Sequence, residues 1–356
     1  MKKILFPILL LIFLSAILGG IYYITQSSTP ISADIKDFLL IKPKQYIGAT
    51  VDMSQILPES VHYIKNSQGQ DLIDIASSLG MNTLRITNIT SIGSKVIPSY
   101  TNAQWAEVLN KMKSKNMYAV ILVEANAQDT KFDRVHLNDY YLNFVQNYVV
   151  TPEACGFSNV LAIDIANEPL LNASNLAKLK DAANMIKTAC PNAKITIGSW
   201  STDSGQKDSS GKPIYFWHDP KEVRQIENIV DIDSVHIYGF DKKLDNGSYP
   251  DPYTLTTGYL KEVRKYTNKP IFIEEFGAGN GTSVTDQNTL GSQNLQKNAY
   301  DGVLRAIFDF RNRGVLGGTA YVLSSRNDKP DGWSMSLDRA SILLPAAYSF
   351  KQYSNN

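Results

Sequence analysis

The chain has 356 residues, 43% of them hydrophobic and 19% charged, an ordinary globular composition that excludes extended disorder. Its net charge of +1 gives no electrostatic case for nucleic acid as a partner. Two cysteines, Cys155 and Cys190, are too few for a disulfide framework, and nothing beside them has metal-ligand spacing.

The first segment stands apart. Met1-Lys2-Lys3 is basic, and Ile4 to Ile24 then runs without a charge through Leu, Ile and Phe to Tyr22 and Tyr23. About 20 apolar residues suffice for a membrane-spanning helix, so residues 4–24 are expected to cross a bilayer. The Lys pair predicts a cytoplasmic N-terminus, with the two Tyr at the far interface. The alternative is a cleaved secretory signal, whose apolar core is normally shorter; no small-x-small cleavage site follows. Either way the remainder is exported. Residues 1–25 are assigned as signal anchor or signal peptide, 26–44 as tether and lead-in, and 45–356 as one folded domain, expected to be a monomer.

From Gln45 onward, short apolar runs alternate with amphipathic ones. Strands are predicted at Tyr46–Val51, Thr83–Thr87, Tyr118–Val123, Val160–Ala166, Lys194–Gly198, Ile232–Ile237, Pro270–Glu275 and Gly318–Leu323. Helices are predicted at Asp71–Leu79, Asn102–Lys115, Leu137–Val149, Asn175–Ala189, Glu222–Asn228, Leu255–Tyr266, Gln293–Arg313 and Ala340–Tyr348. Eight alternations of strand and helix are the α/β pattern of a (β/α)8 barrel. A doubly wound open sheet is the rival, but no G-x-G-x-x-G follows the first strand. Connections leaving the strands, such as Ser201–Trp217, Gly239–Tyr253, Gly277–Ser292 and Ser324–Leu337, are long and polar, which suits a barrel whose site lies at the C-terminal ends of its strands. Cys155 and Cys190 precede the fourth and fifth strands, neighbours at the opposite face, and export would permit a bond between them.

Two strand ends carry most of the chemistry. Ile165-Ala166-Asn167-Glu168-Pro169 closes one apolar run, and Ile271-Phe272-Ile273-Glu274-Glu275-Phe276-Gly277 closes another. A buried strand tolerates charge poorly in its middle, so a Glu at its exit is a candidate working group. Two such Glu residues facing one cavity are the minimum equipment for breaking a glycosidic bond. Glu274 competes with Glu275. Neighbours in a strand point to opposite faces, so one is expected to face the barrel and the other the helices.

Asn167-Glu168-Pro169 on the fourth strand, His236-Ile237-Tyr238 on the sixth, Glu275-Phe276-Gly277 on the seventh and Arg85 on the second together resemble clan A glycoside hydrolases, above all the family 5 cellulases and β-mannanases. The resemblance covers residues 45 to 350. It implies Glu168 as acid/base and Glu275 as nucleophile, and it selects Glu275 over Glu274. It implies a retaining hydrolase of β-linked glucan, mannan or related oligosaccharide, with no cofactor. A cell-surface transglycosylase and a non-catalytic polysaccharide-binding barrel are the alternatives. Arg85 and Tyr238 are expected beside the nucleophile, Asn167 at the sugar 2-hydroxyl, and His236 at substrate or Glu168.

The chain departs from the family at three places. The third strand ends Val123-Glu124-Ala125-Asn126, where a histidine is common. The eighth reads Ala320-Tyr321-Val322-Leu323-Ser324, without the usual tryptophan; Trp333, nine positions after Ser324, and Trp200 are the candidate replacements as sugar-binding rings. Asp164 interrupts an apolar strand and is expected to be a buried, hydrogen-bonded structural residue. His62, His136 and His218 are scattered, and no H-x-H marks the first strand, so a barrel metallohydrolase is disfavoured.

Overall fold

The computed structural model describes residues 44–87, 100–123, 136–137, 140–146, 156–207, 209, 211, 213–241, 243–278, 290–324 and 333–353. Residues 4–24, Cys155 and the Glu124–Asn126 segment lie outside the described residues. Among the described residues, no helix is long and apolar enough to cross a membrane. From Lys44 onward the chain forms one unit.

Its centre is a ring of eight parallel strands: β1 (Tyr46–Asp52), β2 (Thr83–Thr87), β3 (Tyr118–Leu122), β4 (Val160–Asn167), β5 (Ile195–Gly198) and, after an antiparallel ribbon of β6 (Ser201–Lys207) and β7 (Pro213–Trp217), β8 (Asp233–Ile237), β9 (Ile271–Phe276) and β10 (Val315–Ala320). The strand order is β5-β4-β3-β2-β1-β10-β9-β8. The ring closes beside β5 and β8, where the N–H groups of Asp231 and Ile232 donate to the carbonyl of Ile195 at 2.8 and 3.2 Å. The eight-stranded (β/α)8 barrel expected from the alternation is the observed fold. These strands are buried on both faces, hence their Val- and Ile-rich sequences.

Crossover helices lie between the strands, among them Leu72–Ser78, Asn102–Ser114, Ala173–Ala189, Pro252–Arg264 and Leu290–Asp309. Their starts follow local capping chemistry. Asp71 with Asp74, and Thr101 with Gln104, form capping boxes; Asn172 and Asp251 accept from the third helical N–H. Two expected helices are largely absent. Glu222–Asn228 is a 3₁₀ turn (Pro220–Glu222) followed by one α-turn (Val223–Ile226). Ala340–Tyr348 is displaced by a small hairpin, Ser336–Leu337 against Ile342–Leu343, whose turn holds Asp338, Arg339 and Ala340 at φ 48°, 50° and 64°. The 3₁₀ helix starts only at Pro345, which has the φ a helix start needs, and runs to Gln352. The long polar connection expected over Ser201–Trp217 carries the β6–β7 ribbon, Ser201–Lys207 paired with Pro213–Trp217.

The barrel interior is marked by side chains that touch across the ring. Val120, Ala162, Ile232 and Phe272 form a small cluster separate from the large one between strands and helices. Phe272 therefore points inward and Ile273, in the outer cluster, points outward. Strict alternation would send Glu275 outward with Ile273. The register shifts instead: β8 pairs Val235 with Ile273 but His236 with Glu275, and β10 pairs Gly318 with Ile273 but Ala320 with Phe276. This bulge turns both Glu274 and Glu275 toward the interior, so the one-in, one-out expectation is corrected.

Candidate active site

Arg85 organises the inner end of the site. It sits in β2 and is wholly buried. Nη1 donates to Oε1 of Glu275, while Nη2 donates to Oδ2 of Asp164 at 2.8 Å and to Oδ1 of Asn167 at 3.0 Å. Nε lies 3.7 Å from Oε1 of Glu274. Burial opposes the charge on Arg85, but Glu275, Glu274 and Asp164 hold its proton well above the ordinary arginine range. Asp164 is the buried structural residue expected: it also accepts the N–H of Gly198 at 2.8 Å. Burial, then the charge of Glu274, pushes the Asp164 carboxyl up against the pull of Arg85. Gly198 leaves room for this cluster, since a Cβ there would lie 2.8 Å from Asp164 Oδ2 and 3.0 Å from Arg85 Nη2.

Glu275, in β9, is nearly enclosed. The Tyr238 hydroxyl donates to its Oε2 at 2.6 Å, and Nδ1 of His236 is 3.6 Å from the same oxygen. Burial alone would raise its pKa. The charges of His236 and Arg85 and the Tyr238 hydrogen bond outweigh burial and hold the carboxyl below its usual range. Tyr238 is pushed well up by burial and by Glu275, which keeps its proton in place as a donor.

Glu168 follows β4 directly, at φ 50°, a left-handed conformation uncommon for any residue but glycine. Its N–H donates to the carbonyl of Gly198 at 2.8 Å, which fixes the turn. Oε1 lies 2.8 Å from Nδ1 of His236. Burial pulls His236 toward neutrality, but Glu275 and Glu168 raise its pKa above the ordinary value. Glu274, by contrast, is wholly buried and accepts from the Ser234 hydroxyl at 2.6 Å.

The remaining candidates divide. Trp333 packs edge-on to Tyr238, ring centroids 5.4 Å apart, and near Tyr321 at 6.4 Å. A Cβ at Gly277 would lie 3.2 Å from its ring, tighter than an ordinary contact, so the glycine gives the indole room beside the end of β9. Trp200 does not line the site: it is fully buried in the core and its Nε1 donates to the carbonyl of Asp219 at 2.8 Å. The expectation of a sugar-binding Trp200 is corrected. Its strand exit points the indole into the helix layer.

His218 was legible only as one of the scattered histidines, yet it belongs to the site. The ribbon brings it back over the barrel mouth, with Nε2 3.7 Å from Glu168 Oε1 and Nδ1 hydrogen-bonded to the Ser199 hydroxyl. Ser199 and His218 are both at φ 61°. Burial, then His236, lowers the His218 pKa to about 4, so it is neutral at ordinary pH. Glu168, His218 and His236 each offer one ligand atom within 4.8 Å of the others, and they are the group among the described residues that could hold a metal ion. Glu275 and Glu168 favour the protonated form of His236, which disfavours that use, since a metal ligand must present a lone pair.

A parallel (β/α)8 barrel with two carboxylates converging at the C-terminal ends of its fourth and seventh ring strands defines the glycoside hydrolase class. The family model for cellulase (glycosyl hydrolase family 5) matches residues 47–309, more than half of the chain, and the chain belongs to that family. Solved structures agree in fold. The endo-β-1,4-mannanase from Thermotoga petrophila superposes with a TM-score of 0.57 at 15% identity, over 89% of this chain and 77% of the mannanase. The Pseudomonas stutzeri endoglucanase gives 0.57 at 13%, over 87% and 94%. A family 5 mannosidase from Rhizomucor miehei gives 0.57 at 15%, over 88% and 93%. No curated protein matches the chain.

Proposed function

We propose that the protein is a retaining hydrolase of β-linked glucan or mannan, with Glu275 as nucleophile and Glu168 as acid/base. One observation carries this reading. Nδ1 of His236 lies 2.8 Å from Glu168 and 3.6 Å from Glu275, so the facing oxygens are no further apart than those distances laid end to end. That bound accommodates the carboxyl separation of about 5–5.5 Å of a retaining pair, in which a carboxylate attacks directly.

The environment of Glu275 supports its role. Glu275 is held ionised by His236, Arg85 and Tyr238, as a nucleophile requires. Its oxygen attacks the anomeric carbon while Glu168 gives its proton to the leaving glycosidic oxygen. In the second step Glu168 takes a proton from water, the water oxygen bonds to the anomeric carbon, and Glu275 departs as carboxylate. Asn167, its Oδ1 fixed by Arg85, keeps its amide N–H groups for a sugar hydroxyl. Binding alone requires neither the charge tuning at Glu275 nor a second carboxylate beside it.

The endoglucanase and mannanase neighbours, one of them solved with cellobiose, support a β-glycan substrate. The test is a screen of cellulose, mixed-linkage glucan and mannan oligosaccharides, with the first product followed by NMR. A β-anomer as initial product is expected. An initial α-anomer, or no cleavage of any β-glycan, overturns the reading. We further propose export with anchoring through residues 4–24; release from membranes should then need detergent rather than high salt.

A further inference from the structure

Glu168 meets a second imidazole besides His236. His218 follows β7 directly, and its Nε2 lies 3.7 Å from Oε1 of Glu168, the same oxygen that Nδ1 of His236 meets at 2.8 Å. His218 is fixed on three sides. Its N–H donates to the Trp200 carbonyl at 2.9 Å, its carbonyl accepts from the Tyr259 hydroxyl at 2.7 Å, and Nδ1 is hydrogen-bonded to the Ser199 hydroxyl. Both Ser199 and His218 take φ 61°. Such left-handed conformations at residues other than glycine persist only where surrounding contacts over-determine them, and they cluster at functional sites.

The Ser199 contact settles which ring nitrogen carries the proton. Ser199 is wholly buried, and among the described residues the acceptor beside its hydroxyl is Nδ1 of His218. A buried hydroxyl spends its one proton on an acceptor, so Nδ1 presents its lone pair and the ring proton sits on Nε2. The nitrogen nearest Glu168 is therefore a donor. Burial, then His236, keeps the ring neutral, so it brings a dipole rather than a charge. A gap of 3.7 Å is too long for a hydrogen bond, but catalytic contacts of this kind often tighten once substrate is bound.

Once Glu168 has given its proton to the leaving oxygen, it is a carboxylate that must take a proton from water. We propose that His218, anchored by Ser199, is a positioning residue for that carboxylate, its Nε2–H orienting Oε1 of Glu168 for the second, deglycosylation step. The inference rests on the assignment of Glu168 as acid/base. The bonds made and broken are those already described: a proton passes from water to Glu168, the water oxygen bonds to the anomeric carbon, and the bond to Glu275 breaks. A fixed N–H dipole facing the charge as it appears requires no reorganisation at the moment of reaction. His236 does not serve Glu168 alone, since its Nδ1 also lies 3.6 Å from Glu275.

The test uses 2,4-dinitrophenyl β-cellobioside, with the β-mannobioside as second substrate. Their leaving group needs no proton, so kcat/KM reads attack by Glu275 and kcat reads release of the glycosyl-enzyme. His218→Ala should lower kcat about tenfold and KM with it, leaving kcat/KM within about twofold of wild type. Glycosyl-enzyme should accumulate, seen as added mass on the intact protein. Azide, which attacks without a base, should restore kcat and yield the β-glycosyl azide. His218→Gln, which keeps an N–H donor, should recover part of the loss. Ser199→Ala, which keeps the ring and removes its anchor, should shift the same quantities in the same direction and carries the test if His218→Ala does not fold. An equal fall in kcat and kcat/KM, a loss that azide does not restore, or wild-type kinetics in these variants overturns the role. Wild-type kinetics in Glu168→Ala, or no wild-type turnover of either glycoside, overturns instead the assignment on which the inference rests.

Discussion

Nδ1 of His236 lies 2.8 Å from Oε1 of Glu168, and one imidazole thereby sits between the two carboxylates, 3.6 Å from Oε2 of Glu275. Its charge is the largest of the influences that lower the Glu275 pKa against burial. Replacing it with a neutral residue should raise that pKa. In His236→Gln the acidic limb of the kcat/KM profile should therefore move to higher pH, because the nucleophile must lose its proton for activity. The rate at the optimum should fall about a hundredfold. The same sign applies to stability: a depressed carboxyl stabilises the fold above its unfolded pKa, and that contribution is lost as pH falls through the folded value. An acidic limb that stays in place would show that His236 is neutral in the working enzyme.

The carboxylates should separate by kinetics. Glu168→Ala should slow substrates with poor leaving groups by about 10²–10⁴-fold and activated aryl glycosides much less, and azide should restore turnover with a β-glycosyl azide as product. Glu275→Ala should abolish retaining turnover on every substrate. Glu274→Gln should keep the stereochemistry, because Glu274 is wholly buried and meets Arg85 and Ser234 rather than the cavity. A lethal Glu274→Gln beside a mild Glu275→Ala would exchange their roles.

Most of the barrel was legible because buried parallel strands leave a local signature. Val160–Asn167 and Ile271–Phe276 show it as apolar runs that end in carboxylates. Arg85, Asn167, Glu168, His236, Tyr238 and Glu275 converge because each lies at or near the C-terminal end of a ring strand. Three things were not legible. The bulge that turns Glu275 inward depends on pairing with both neighbours, which no single strand encodes. The ribbon that delivers His218 reads as a polar loop, because Thr202 to Lys207 are largely exposed. Trp200 and Trp217 look alike in sequence, but one is in the core and the other open to solvent.

Gly198 offers a test of the Arg85 cluster that alters no charge. A Cβ there would meet Asp164, Arg85 and Asn167 at 2.8, 3.0 and 3.0 Å. Gly198→Ala should cost about 1–3 kcal/mol of stability, typical of overpacking, and lower kcat by moving Arg85 and Asn167. Arg85→Lys should be worse. A lysine cannot reproduce the forked contacts to Glu275, Asp164 and Asn167, and a broken buried ion cluster costs about 3–5 kcal/mol. Wild-type melting and turnover in Gly198→Ala would show that the cluster yields without consequence.

Cys190 caps the helix Ala173–Ala189, ahead of β5, and so lies at the barrel end opposite Glu168. It is disulfide-bonded; the chain's other cysteine, Cys155, lies outside the described residues. A bond joining these two cysteines closes a loop of about 35 residues, worth roughly 3–4 kcal/mol in the chain-entropy model. The N-terminal face of such barrels serves stability and the C-terminal face serves chemistry. Reduction with dithiothreitol, or Cys190→Ala, should therefore lower the melting temperature while leaving kcat at 25 °C within about twofold of wild type. A thermal melt with and without reductant, paired with a turnover assay on the same samples, reads both quantities. Loss of kcat in protein that is still folded would show that the two faces are coupled, and an unchanged melt would show that the bond adds nothing to the stability of the fold.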